Sequence, residues 1–283
     1  MNGHPRNLVR SELLKLRTTN TWWFFGLGAL VMLALAFLVN ALNAHFLLGD
    51  LEQATATLPP EQAEQVVAQA DPVNVAANLY TSGQFFGLLF VMLLGIILVT
   101  NEFHHRTATT TFLATPRRTA VIVAKLGTAT LLGAALWLVT TALAIPATIV
   151  FFDAEGVASH FGDAAITRAI LLNLLAYTLW GVLGVGIGVL IRSQIGATVT
   201  AAVLYLVGTA AASIIFALLR QWLDADWIGE LQVIVPSIAS QLMISGTELP
   251  GNPPQWVGAA VLLGYAVLTS TVGTLIVRTR DIS

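Results

Sequence analysis

Six long apolar runs, separated by polar segments, dominate the pattern of the chain. They lie at residues 22–42, 80–100, 126–152, 166–191, 195–219 and 256–277. A helix needs about 20 residues to cross the ~30 Å hydrocarbon layer of a bilayer, and each run is near or above that length. The pattern predicts an all-α integral membrane protein with six transmembrane helices. The first run is too long for the apolar core of a cleaved signal peptide, so we interpret it as a retained helix.

A further apolar stretch at residues 228–244 is a candidate for a seventh helix. It contains Glu230 and Pro236, and a crossing there would place Arg278 and Arg280 on the side opposite most other basic residues. We therefore favour a re-entrant or surface helix before the sixth transmembrane helix, since irregular backbone is tolerated where protein buries it. The segments 43–79 and 220–255 are then extracellular, and the first carries a helix-like stretch at 61–70 that predicts a small exposed cap.

Composition and charge support a single transmembrane domain over residues 1–283. The chain is 56% hydrophobic and 10% charged, with a mean hydropathy of +0.80, so no polar segment can bury a core of its own. With the N-terminus in the cytoplasm, only Arg168 and Arg220 of the 13 Lys and Arg residues lie outside. The positive-inside rule therefore predicts that both termini are cytoplasmic.

Several kinds of chemistry find no support in the sequence. There is no cysteine for a disulfide or a thiolate metal site, and the neighbours His104 and His105 point in different directions on a helix. We expect no metal site, no cofactor in this chain, no nucleic-acid partner and no catalytic activity. No P-loop motif occurs, so the chain cannot cradle nucleotide phosphates in that way. The six runs hold no charged residue away from their ends, which argues against an ion-coupled secondary transporter.

The N-terminal residues 6–18 have the pattern of a helix lying on the inner membrane surface. An apolar stripe is edged by arginines that can meet lipid phosphates, and three polar residues face away from it. The three sets are, in order, Val9, Leu13 and Leu16; Arg6, Arg10 and Arg17; and Ser11, Glu12 and Lys15. The alternative is an ordinary basic flank of the first transmembrane helix.

The cytoplasmic segment 101–118, between the second and third helices, has the pattern of a docking surface. Glu102 and Arg106 stand four residues apart and can pair on one helix face. Phe112 and Leu113 offer apolar contacts before the helix breaker Pro116.

This segment resembles the permease subunits of type-2 ABC exporters, especially actinobacterial ones. In that family a Glu at the end of the second helix opens a segment reading roughly Glu-x-x-x-Gly-Thr, then apolar residues, then Pro-x-Arg. The residues in those places here are Glu102, Thr107, Phe112, Leu113, Pro116 and Arg118, and Arg106 stands where the family has Gly. Residues 11–17, followed by Trp22 and Trp23, are similar to the first helix of such permeases.

The resemblance implies a surface-lying connector helix at the N-terminus and a coupling helix within 101–118. The residues expected to couple to an ATPase are Glu102, Arg106, Thr107, Phe112, Leu113, Pro116, Arg117 and Arg118. Two copies of a separate P-loop ATPase would hydrolyse ATP with Mg²⁺, and a second permease copy or a sister permease would complete the assembly. The location implied is the bacterial cytoplasmic membrane.

The expected cargo is hydrophobic or amphipathic, such as a drug, lipid or peptide. Because the resemblance places the second and fifth helices at a dimer axis, a cavity there would be lined by Phe85, Phe86, Phe90, Met92, Tyr205 and Thr209. Helix packing or lipid contact is the alternative use of these residues. Small residues at Ala176, Gly181, Gly184 and Gly188 predict a closely packed face on the fourth helix. A non-transporting membrane scaffold or assembly factor is the alternative function.

Overall fold

The computed structural model of the chain describes residues 5–18, 21–49, 51, 55–56, 58–104, 118–191, 193–223, 225, 227–248 and 251–279. Every regular element within these ranges is a helix, and they contain no strand. Six helical stretches among them are long and apolar enough to cross a membrane. The predicted all-α class and the six long apolar helices are therefore confirmed.

The helices are numbered here in chain order. The first half of the chain contains α1 (Pro5–Thr18), α2 (Thr21–Gly49), α3 (Pro60–Gln69), α4 (Pro72–Tyr80), α5 (Gln84–His104) and α6 (Arg118–Glu155). The second half contains α7 (Ala164–Leu190), α8 (Gln194–Val203), α9 (Thr209–Leu223), α10 (Trp227–Glu230), α11 (Pro236–Met243) and α12 (Gln255–Thr279). A π-helical turn, Leu204–Gly208, joins α8 to α9 in one long helical stretch, and a 3₁₀ turn, Leu231–Ile234, follows α10.

Two of the six long apolar helices extend furthest beyond the predicted runs. Helix α2 continues to Gly49 rather than ending at Leu42. Helix α6 begins at Arg118 and ends at Glu155, whereas the apolar run suggested 126–152. Helices do not stop where an apolar run stops, because polar residues at the ends can keep helical backbone while reaching water or a partner. The extension of α6 places Lys125 inside a helix, where the sequence interpretation had no charge.

Helix α4, within the segment 43–79, is buried, which the sequence did not predict. Val75, Ala76, Ala77 and Leu79 are each at most 5% exposed, so most of α4 lies in the core. A tight turn at residues 81–83 connects α4 to α5. Gly83 closes that turn with a φ of +81° against Leu33 of α2, a conformation that favours glycine.

The stretch 228–244 does not form a seventh crossing. It is divided into α10, the 3₁₀ turn and α11, of which the longest has 8 residues, too few to span a bilayer. Helix α11 is nevertheless buried against α7 and α12. The Trp180 Nε1–H of α7 donates a hydrogen bond to Ser240 Oγ at 2.8 Å, and Gly258 of α12 lies against the carbonyl of Ala239.

Helix α7 is the centre of the fold and packs against α5, α6 and α12. Its glycines allow backbones to approach closely: a Cβ added to Gly181 would lie 2.7 Å from Ala129 O of α6, and one on Gly188 would lie 2.9 Å from Ile96 O of α5. A Cβ on Gly184 would meet the backbone of Met92. The small-residue face predicted for this helix is confirmed, with Ala176 fully buried beside it.

We expect Gly184→Ala to destabilise the protein by about 1–3 kcal/mol, because the new methyl group meets backbone atoms that have no room to move. Gly264→Ala is the matched control, since no atom lies within 4 Å of its added Cβ. That change should be neutral or stabilising by about 0.5–1 kcal/mol, as alanine favours helix over glycine. Thermal unfolding in detergent measures both, and equal effects of the two changes would contradict the close packing of α7.

Candidate functional site

Both lysines of the protein and two of its glutamates form one group, which we call the charge cluster. Glu12 and Lys15 come from α1, Glu102 from the last turn of α5, and Lys125 from the second turn of α6. The cluster therefore joins the N-terminal helix to the two helices that flank residues 105–117.

Each lysine of the charge cluster contacts both glutamates. Lys125 Nζ lies 2.7 Å from Glu12 Oε2 and 3.2 Å from Glu102 Oε1. Lys15 Nζ lies 2.7 Å from Glu12 Oε1 and 2.7 Å from Glu102 Oε1. Lys125 also donates a hydrogen bond to the carbonyl of Leu98 at 2.9 Å. Two ammonium groups thus neutralise two carboxylates in one continuous network.

Three of the four residues are removed from solvent. Lys125 is 2% exposed, Glu12 3% and Glu102 6%, whereas the side chain of Lys15 is 44% exposed. An unpaired buried charge costs several kcal/mol, and removing one partner of a buried pair typically costs 3–5 kcal/mol. Lys125 is therefore stable at this position only while α1 and the end of α5 supply their carboxylates.

Lys15 closes the cluster at its solvent side. Burial alone lowers the pKa of Lys15, but hydrogen bonds from its ammonium to Glu102 and Glu12, with their negative charges, outweigh that effect. The net result is a pKa above the ordinary value of 10.5. The ammonium is thus favoured by the folded protein at every physiological pH.

Helix α1 docks on the protein through apolar contacts as well as through charge. Leu16 is 6% exposed and belongs to a core that includes Leu98, Ile122 and Val185. Val9 lies over Gly127 of α6, where an added Cβ would be 3.8 Å from Val9 Cγ2.

These contacts correct the sequence interpretation of α1. The predicted apolar stripe divides, because Val9 and Leu16 pack inward while Leu13 is 37% exposed. Glu12, expected to face away from the stripe, lies on the buried face. A prediction from hydrophobic periodicity places every charged residue on the solvent-facing side of a helix. A charged side chain that pairs with a residue of another helix can instead be buried. Arg10 and Arg17 are exposed, and the Arg6 side chain lies outside the described part of the chain. Lipid contact by α1 stays a prediction.

Of the residues expected to couple to an ATPase, Glu102 alone has a described side chain. Arg118 begins α6, and its side chain is outside the description. The others, Arg106, Thr107, Phe112, Leu113, Pro116 and Arg117, lie in the undescribed range 105–117. The expected pairing of Glu102 with Arg106 therefore stays a prediction, while pairing of Glu102 with Lys15 and Lys125 was not foreseen.

The six residues expected to line a cavity occupy different environments. Phe85 and Phe86 border a cavity at the start of α5. Phe90 packs edge-on against Phe25 of α2, with ring centroids 5.9 Å apart, and Met92 is 2% exposed in the core.

Tyr205 and Thr209 serve contacts within the chain. The Tyr205 hydroxyl donates to the carbonyl of Phe85 at 2.6 Å, and Thr209 Oγ1 lies 2.6 Å from Ser237 Oγ. These contacts agree with the alternative of helix packing. A cavity formed by all six at a dimer axis stays a prediction.

We expect the stability contributed by Lys15 to disappear at alkaline pH. A group whose pKa is raised by folding stabilises the protein fully below its unfolded pKa, and this contribution is lost as pH rises through the folded value. The unfolding temperature of the native protein should therefore exceed that of Lys15→Met by a constant amount up to about pH 9 and by less above 10.5. Thermal unfolding across this range measures the difference. A difference that stays constant above that pH would contradict the pairing of Lys15.

No protein-family model matches this chain. No curated protein matches it either. The functional assignment therefore rests on the charge cluster, on the helices that it joins, and on the resemblance carried by residues 11–17 and 102–118.

Proposed function

We propose that the chain is the membrane-spanning permease subunit of an ATP-driven exporter of the type-2 ABC class. It would move a hydrophobic or amphipathic cargo across the bacterial cytoplasmic membrane, while a separate P-loop subunit hydrolyses ATP. The observation that supports this most strongly is the charge cluster, because it ties α1 to both helices that flank the proposed coupling segment.

The cluster gives the coupling segment two fixed ends. Residues 105–117 leave α5 shortly after Glu102 and enter α6 shortly before Lys125, and these two side chains contact each other. A displacement of this segment by a bound ATPase would thus move α5 and α6 together rather than bend one of them. Interfaces that are packed and paired in this way transmit motion as rigid bodies.

Helices α5 and α6, which flank this segment, pack in the core of the protein. Both α5 and α6 lie against the glycine face of α7, where backbone atoms of neighbouring helices are in contact. Close backbone packing leaves little freedom for one helix to yield without its neighbours. A tilt imposed at the cluster would therefore spread to α7 and to the outer ends of the helices, as alternating access requires.

A second permease copy fits the apolar surface of the fifth long helical stretch. No residue of α9 is buried, and Leu204, Val207 and Ile214 along the same helical stretch are 61–66% exposed. Such a surface must meet lipid or another chain. In the proposal a homodimer or a sister permease covers it, and two ATPase subunits bind beneath.

An ion-coupled secondary transporter is the second candidate, and one observation favours it. Helix α6 starts earlier than the sequence indicated, so a buried lysine and two buried carboxylates do lie among the helices. Intramembrane ionisable groups often mark ion pathways. Here, however, each carboxylate is already paired with a lysine at the helix ends, which suits a structural connection better than a proton relay. Transport by the chain alone, driven by a proton gradient, would favour this candidate.

We expect Lys15→Met to uncouple ATP hydrolysis from transport in the reconstituted complex while leaving the fold intact. The change removes the exposed link between α1 and Glu102 but keeps the buried contacts of Lys125. Substrate-stimulated ATPase activity should fall several-fold, with unchanged ATPase activity of the isolated partner. Lys15→Arg is the control, because it restores the positive charge and should restore coupling. Normal coupling in Lys15→Met would contradict the proposed role of the cluster, and a chain that never stimulates an ATPase would favour a scaffold.

A further inference from the structure

A second distinctive site lies at the other end of α5, about 27 Å from the charge cluster at 1.5 Å of helix rise per residue. It is a cavity of about 470 Å³ bordered by α2, the end of α3, α4, the start of α5, and α11. That volume lies within the usual range of small-molecule sites, roughly 300–1,000 Å³.

The lining of this cavity is polar but uncharged. Of the residues that border it, seven are Asn or Gln and three are Ser or Thr, while none is Asp, Glu, Lys, Arg or His. The chain is 56% hydrophobic, and none of its six apolar runs contains a comparable number of Asn and Gln residues. An amide side chain both donates and accepts hydrogen bonds, so the lining can satisfy groups that do the same.

Part of the amide lining is already bonded and forms a fixed wall. The Asn40 side-chain amide donates to Asn78 Oδ1 at 3.2 Å and to Ser82 Oγ at 3.0 Å. Asn74 donates to the Ala68 carbonyl at 2.8 Å, and its Oδ1 accepts from the backbone N–H of Thr247, also at 2.8 Å. These bonds connect α2, α4 and the loop after α11, so the cavity keeps its shape without a ligand.

Other amides are left available. Within the described part of the chain, the side chains of Asn43, Gln69 and Gln241 make no hydrogen bond with other protein groups. All three are exposed residues that border the cavity. They come from three different helices, α2, α3 and α11. Donors and acceptors that converge from several elements on one cavity are typical of sites that fix the orientation of a ligand.

One wall of the cavity is aromatic. Phe85 and Phe86 lie side by side there, with ring centroids 5.3 Å apart in an edge-to-face arrangement. Phe85 is held from behind by Tyr205, whose ring centroid is 4.9 Å away. An aromatic surface next to uncharged donors and acceptors matches a group that has C–H faces and hydroxyl edges.

We propose that this cavity binds an uncharged, polyhydroxylated group of the size of a sugar ring. The hydroxyls would bond to Asn43, Gln69 and Gln241, and a C–H face would lie on the wall formed by Phe85 and Phe86. A charged ligand finds no counter-ion in the lining. A peptide is less well matched, because peptide sites generally offer a strand edge, an apolar groove or an arginine cluster. This inference depends on the cavity alone and holds whether or not the chain partners an ATPase.

The group could reach the cavity as a free sugar or as the headgroup of a lipid, and one experiment separates the two. The full chain is placed in phosphatidylcholine nanodiscs, and its thermal unfolding is followed with glucose in solution, with monoglucosyl diacylglycerol in the bilayer, and with diacylglycerol as the blank. We expect one or both glucosyl probes to raise the unfolding temperature. A response to the lipid alone identifies a headgroup site, and a response to both identifies a sugar site. No response to either probe, or a response only to an uncharged acetylated tripeptide amide, would overturn the proposal.

Two variants locate the effect. Gln241→Leu and Asn43→Leu each remove one uncommitted amide, so the apparent affinity should fall about tenfold for a loss of ~1.4 kcal/mol. Gln221→Leu is the matched control, since Gln221 is exposed on α9 outside the cavity. Equal affinity in all three variants would contradict the proposed site.

A fluorescent label gives a reading that does not depend on how well these variants fold. The chain has no cysteine, so Phe46→Cys and Gln221→Cys each provide a single labelling position. Phe46 is exposed one helical turn from Asn43 and does not line the cavity. A glucosyl probe should change the emission at residue 46 and leave that at residue 221 unchanged. Equal changes at the two positions would indicate an effect of the probe on the bilayer and would overturn the assignment.

Discussion

The burial of Lys125 is the constraint on which the packing of α1 against α5 and α6 depends. An ammonium group that is 2% exposed must have anionic partners, and Glu12 and Glu102 supply them from two other helices. Because Glu12 lies on α1, that helix is required to complete the site rather than being an optional membrane anchor. Lys15 then brings the net charge of the group to zero, so neither carboxylate is left without a cation.

The charge cluster and the glycine face of α7, formed by Gly181, Gly184 and Gly188, stabilise different levels of the same helix bundle. The cluster fixes the ends of α1, α5 and α6, and the glycines let α5 and α6 approach α7 until backbone atoms meet. Together they connect these helices closely, so that a displacement at residues 105–117 would also move α7. The amide-lined cavity lies at the far end of α5, so the proposed driving site and the proposed ligand site are connected by a single helix.

The local sequence pattern was sufficient to predict the long apolar helices and the close packing of α7. Long apolar runs predicted six candidate spans, and the spacing of Gly181, Gly184 and Gly188 predicted close contact because small residues recur on one face. The limits of α2 and α6 were less predictable, since helices continue beyond their apolar residues. The burial of α4 was not predicted, because it depends on packing against residues of other helices such as Ala44, Phe152 and Ile166.

The charge cluster and the cavity depend on contacts between distant parts of the chain, which periodicity does not report. Glu12 and Lys125 are 113 residues apart, and Asn40 and Ser82 are 42 apart. A signal for the cluster was nevertheless present. The chain has only two lysines, and Lys125 lies among apolar residues, a position that is stable only with a partner. Asn40 and Asn43 at the end of an apolar run gave a weaker signal for the cavity.

A double-mutant cycle on Glu12 and Lys125 tests the central claim most directly. Unfolding is measured for the native protein, Glu12→Gln, Lys125→Met and the double variant. Each single change leaves a buried charge with fewer partners, so the double variant should be more stable than additivity predicts, with a coupling of about 0.5–3 kcal/mol. Additive effects would contradict the account, because they would show that the two side chains do not stabilise each other and that α1 is not held by the charge cluster.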